Sequence, residues 1–111
     1  MKIKCKIWCP ERKEMSSPVA FGADGLILHG DDILLQFTGL KDKNNKDIYE
    51  GDIVRHHRFG NMFIKYIPPS FWYLGNSIID NGERGYPLWV GDAKRLEIIG
   101  NIYENPELVN P

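Results

Sequence analysis

Lysines alternate with apolar residues at the start of the chain, placing Ile3, Cys5 and Ile7 on one side and Lys2, Lys4, Lys6 and Trp8 on the other. A period of two marks a half-buried strand, and Pro10 ends it. Residues 11–18, which include glutamate, lysine, serine and Pro18, read as a turn or loop. Apolar runs at Leu26 to Leu28 and Ile33 to Phe37 follow, separated by His29-Gly30-Asp31-Asp32 as a hairpin connection. Ile53 to Arg58 and Met62 to Ile67 form a second pair around Phe59-Gly60-Asn61, and Pro68-Pro69-Ser70 closes it. Phe71 to Leu74, Ser77 to Ile79, Leu88 to Val90 and Leu96 to Ile99 continue the series. Between them lie Gly75-Asn76, Asn81-Gly82 and Gly91-Asp92. Ala93 to Leu96 fit one helical turn, and Asn105-Pro106-Glu107-Leu108 fits the start of a short terminal helix capped by Asn105 with Pro106 in its first position. Short strands at short spacing predict a mainly β fold, a small barrel or sandwich.

Composition narrows the class. A chain of 111 residues is long enough for one compact domain, residues 1–111. With 42% hydrophobic and 26% charged residues it is ordinary globular material, while 11 glycines and 7 prolines favour turns over long helices. The net charge of −1 excludes the strong positive field of a non-specific nucleic-acid binder. No run approaches the roughly 18 apolar residues of a membrane span, and MKIKCKIWCPERKEM lacks the apolar core and cleavage site of a signal peptide. The expected setting is therefore cytoplasmic, with no membrane partner. Cys5 and Cys9, four apart on one strand, would stand roughly 13 Å apart, too far for a disulfide. They read as reduced core thiols.

Candidate chemistry is sparse. His56-His57 beside Glu50 and Asp52 has the residue types of a metal site. Neighbours on a strand face opposite ways, however, so solvated histidines are the commoner outcome, and neither a metal nor any other cofactor is expected. None of Ser16, Ser17, Ser70 and Ser77 sits in a nucleophile elbow, and no phosphate-cradling glycine loop is present, so the chain does not read as an enzyme. A small metal-assisted enzyme using His56 or His57 with Asp52 is the alternative. For binding, Lys2, Lys4, Lys6 and Trp8 share a face, and Lys41, Lys43 and Lys46 crowd a loop. Such a face could track a single strand of nucleic acid and stack a base. Asp42 and Asp47 dilute the loop's charge, and alternating lysines more often guard an edge, so weak nucleic-acid binding ranks below a protein partner. The consecutive aromatics Phe71-Trp72-Tyr73 cannot all point inward, which makes Trp72 a candidate contact with a partner or a second copy.

Three stretches, IKCKIW, LLQFTGLKDKNNKDIYEGDIV and IIGNIYENPEL, resemble the YopX-like proteins of bacteriophages and prophages. They span Ile3 to Leu108 around a variable region between Arg55 and Glu97. The resemblance implies a small SH3-like β-barrel with additional N-terminal strands and a short C-terminal helical turn. The N-terminal strands would occupy about residues 1–40 and the barrel about 46–104. It also implies self-association, with a phage or host protein as the further partner, and offers no catalytic residues to carry over. Gly39, Asn44, Gly51, Asp52, Gly100, Asn101 and Pro106 are its structural motif positions. Asn45 departs from the usual glycine and Cys9 from a position more often polar. Physical chemistry agrees with these roles: Asn44-Asn45 can supply positive φ, Gly51 a kink or close approach, and the Asp52 carboxylate an acceptor for local N–H groups. The charged loop accordingly reads as a barrel corner rather than a catalytic loop.

Overall fold

A computed structural model describes residues 3–21, 30–75 and 85–109. The fold is mainly β, with strands curling into a half-barrel. Among the described residues, β1 (Ile3–Cys9), β2 (Glu14–Met15), β3 (Val19–Phe21), β4 (Ile33–Lys41) and β5 (Asp47–Tyr49) make one sheet in the order β2-β1-β4-β5, with β3 also on β1. The second runs β10-β6-β7-β8-β9, built from β6 (Asp52–His56), β7 (Gly60–Ile67), β8 (Ser70–Gly75), β9 (Gly85–Pro87) and β10 (Glu97–Asn101). One helical turn, α1 (Val90–Ala93), precedes β10, and a 3-10 turn occupies Pro106–Leu108.

The β6–β7 and β7–β8 hairpins lie where the apolar pattern predicts them, with Ile53 opposite Phe63 and Ile67 opposite Ser70 across Pro68-Pro69. Asp52, Ile53 and Val54 are all buried, so β6 is covered on both faces. Val54 packs with Ile48, Met62, Ile64, Tyr73, Ala93 and Leu96 in the main core. Cys5 is buried and Cys9 half-buried, and neither is in a disulfide.

Several elements differ from the sequence reading. The expected loop at 11–18 contains β2, which pairs Met15 with Trp8, and the chain returns as β3 with Val19 opposite Cys5. Strands this short carry too little alternation to be seen. Leu88 to Val90 is not a strand: Leu88 N–H makes a last ladder bond to Phe71, and the Ala93 N–H bond to Trp89 winds the chain into α1. Leu26 to Leu28, His29 of the first predicted hairpin connection, and Ser77 to Ile79 lie outside the described residues.

Trp8 and Trp72 also need correction. Trp8 does not share an open face with the lysines; it is 7% exposed because a C-terminal loop lays Tyr103 over this end of β1. Trp72 is half-buried in β8, paired to Lys65 on one side and Pro87 on the other, so it does not stand on a free edge. The exposed tryptophan is Trp89.

Candidate functional site

The charged loop is a corner organised by Asp42, a residue the sequence reading treated only as a diluting charge. Asp42 is 3% exposed, and its Oδ1 accepts N–H bonds from Asn44 and Lys46, both at 2.9 Å. Its Oδ2 accepts the Ile98 N–H at 3.0 Å, fastening the corner to β10. Asn45, rather than Asn44, takes the positive φ of 65°. Gly39 sits where the β4–β5 register shifts, between Phe37 and Lys41. An aspartate followed two positions later by asparagine is ordinary Asx-turn chemistry, so part of this role was available to sequence reasoning.

Next to the corner lies a cleft of about 280 Å³ lined by Lys6, Lys46, Asp47, Tyr49 and Asp52, with Pro18 and Ile98 at its sides. Lys4 bonds to Asp47, and Lys41 Nζ approaches the same carboxylate at 3.0 Å. The two lysines hold the Asp47 carboxyl below the usual range. Lys4 Nζ also lies 5.0 Å from the Phe37 ring centre, and Lys6 Nζ 4.6 Å from that of Tyr49. The structure thus brings Lys4 and Lys6 together but gives both partners within the chain, while Lys2 lies outside the described residues.

Asp52 accepts the Tyr49 N–H at 2.7 Å, the local bond expected of it. Burial raises its pKa from 3.8 to about 6; the Tyr49 N–H and the Lys6 ammonium oppose that shift, and the Asp42 charge adds to it. The folded state therefore holds this proton more tightly than the unfolded chain does. Its stabilising effect is complete below the ordinary carboxylate pKa and is lost as pH rises through about 6. Asp52→Asn keeps an acceptor for Tyr49 and removes the buried charge, so at neutral pH it should be more stable than the parent by about 1–2 kcal/mol. The advantage should shrink towards zero near pH 4. Urea midpoints of both proteins across this range check it, since the opposite pH trends of Asp47 and His56 cancel in the difference. A difference that stayed constant with pH would refute it.

The motif residues converge on a second feature. Gly51 has φ of 88°, and a Cβ there would stand 2.9 Å from the Tyr103 ring. Its carbonyl accepts the Ile102 N–H at 2.9 Å. Asn101 Oδ1 accepts N–H bonds from Tyr103 at 3.0 Å and Glu104 at 2.8 Å. Gly100 leaves room for Asn105 Oδ1, which a Cβ would meet at 2.6 Å. That oxygen accepts the Asn101 N–H at 3.2 Å, so Asn105 does not use its side chain to cap the turn that Pro106 opens. These bonds fix Tyr103 against Trp8, with ring centres 5.6 Å apart and planes at 29°. The pair forms part of a groove of about 600 Å³ walled by Pro10 and Pro106 and edged by Lys13, Glu104 and Glu107. Sequence pattern does not single out Tyr103 as a site residue; it lies in the stretch IIGNIYENPEL, but its contact with Trp8 spans nearly the whole chain.

The histidines do not face opposite ways. Because the chain leaves β6 at His56, the His57 ring stacks on it at 4.6 Å, and Phe59 lies 4.5 Å from His56. His56 Nδ1 accepts the N–H groups of Arg58 and Phe59 at 3.0 and 3.2 Å. Burial first, and then His57, hold its pKa below the usual value. Asp52 stands at the other end of β6, and no group of three or more histidine, cysteine or acidic residues among the described residues is placed to hold a metal ion. Nor is any helix among them long and apolar enough to cross a membrane.

These features sit on a mainly β fold with a half-barrel sheet. The YopX family, described as YopX protein, matches residues 4–110, and the chain belongs to that family. A solved structure, protein EF1440 from Enterococcus faecalis, is similar in fold: its TM-score is 0.62 at 24% identity, covering 97% of this chain and 98% of that one. No curated protein matches.

Proposed function

We propose that this YopX protein is a phage-type, non-enzymatic binding module that self-associates and acts in the bacterial cytoplasm. The observation that carries self-association is the adjacent pair Trp89 and Val90, 65% and 60% exposed. Beside them, a hollow of about 250 Å³ is lined by Gly39, Leu40, Asn45, Lys94 and Val90 itself. Knob and hollow on one face are self-complementary under a two-fold axis, where Trp89 of each copy can enter the hollow of the other. A second copy is thus the occupant this surface suits. Tryptophan at the centre of such a contact often contributes about 2 kcal/mol, enough to shift assembly more than tenfold.

Light scattering at micromolar concentration tests this. Trp89→Ala is expected to lower the mass towards the 12.8 kDa of one chain while leaving the far-ultraviolet dichroism β-like, because the side chain is mostly outside the core. A parent protein already monomeric across that range would sink the proposal. An oligomer unaffected by the substitution would exclude this face.

A further inference from the structure

The Trp8–Tyr103 groove is distant in sequence from the Trp89 face and differs from it in chemistry. Its base is the Tyr103 ring, backed by the buried Trp8 ring stacked on it, and its walls include two prolines, whose fixed φ makes them rigid. Tyr103 is pinned through Asn101 and the neighbouring Ile102–Gly51 bond, so little freedom remains to be lost when something docks on it. The volume, about 600 Å³, lies within the ~300–1,000 Å³ of ligand pockets. An aromatic and proline surface of this kind suits an extended, proline-bearing segment, which arrives already stiff and packs its pyrrolidine rings against an aromatic face.

Charge gives the occupant its sign. Glu104 and Glu107 line the groove, and Glu50 lies near enough to raise the Tyr103 hydroxyl's pKa after burial has done so. Against the two carboxylates of its lining, Glu104 and Glu107, the groove offers the single ammonium of Lys13. None of Glu50, Glu104 and Glu107 takes part in an ion pair among the described residues; Glu104 accepts only the amide of Asn101, at 2.8 Å. A cationic side chain next to the rings would therefore gain both carboxylate contacts and attraction to the aromatic faces.

We propose that this groove binds an extended protein segment in which an arginine or lysine lies beside proline. The proposal rests on reading the chain as a binding module, but not on self-association. The test uses fluorescence anisotropy with three labelled nonapeptides of alternating sequence: proline with arginine, proline with glutamate, and proline with glutamine. The arginine peptide is expected to bind at least tenfold more tightly than the other two. Glu107→Lys should reverse the order of arginine and glutamate peptides, and Tyr103→Ala should abolish binding of all three while urea unfolding confirms that the variant is folded. If Tyr103→Ala unfolds, Glu107→Lys still decides the matter through an exposed residue. Trp89→Ala should bind the arginine peptide as the parent does, which separates this groove from the association face. Equal affinity for all three peptides, preference for glutamate, or no binding up to millimolar peptide would overturn the proposal.

Discussion

Gly51→Val is expected to cost about 3–5 kcal/mol, enough to unfold a domain of ordinary stability under mild conditions. Two effects combine at this position. The φ of 88° is one that a β-branched residue adopts only under strain, and a Cβ would press on the Tyr103 ring at 2.9 Å. That ring cannot retreat freely, because Trp8 stacks against it and Asn101 holds its backbone. Denaturation midpoints of Gly51→Ala in the parent and in a Tyr103→Ala background separate the causes. The smaller ring-free background should recover the steric part, about 1–2 kcal/mol, and leave the backbone part in place. A Gly51→Val midpoint equal to the parent's would show that neither operates.

Local patterns made the hairpins of the second sheet legible. Ile53 and Val54, Met62 to Ile67 and Phe71 to Leu74 alternate or run apolar between strong turn residues, and they form β6, β7 and β8. The roles of Gly51 and Asp52 were also readable, because each acts on the chain immediately around it: the glycine has positive φ and the aspartate binds an N–H three residues back. What failed depended on distant partners. Trp8 fits the alternation of a lysine face, yet Tyr103 folds over it from the other end of the chain. Trp72 was read as open because three aromatics follow one another, but β9 arrives to cover the free side of β8. The groove could not be read locally at all. Its Trp8 and Tyr103 belong to separate motifs, brought together by bonds such as those to the Gly51 carbonyl and the Asn101 side chain.

Asp42→Ala should be destabilising to a similar degree, by about 3–5 kcal/mol, although no catalytic or binding role is assigned to it. Its carboxylate gathers the Asn44, Lys46 and Ile98 N–H groups, and alanine would leave all of them without that acceptor. The Asn44 and Lys46 groups lie in an exposed turn and can turn to water, whereas the Ile98 N–H faces a half-buried strand and cannot do so cheaply. The loss should therefore fall most heavily on the join between the two sheets, where Lys43 N–H also bonds to Leu96 at 2.9 Å. Asp42→Asn separates the contributions. Its amide oxygen can still serve the turn, but its NH₂ would meet the Ile98 N–H as donor against donor, so it should recover about half the loss. Urea unfolding gives the magnitudes and amide hydrogen exchange the location. Protection should fall first at Lys43 and Ile98 in both variants. If Asp42→Ala costs less than about 1 kcal/mol, or if exchange rises in the β7–β8 hairpin instead, the corner does not join the sheets.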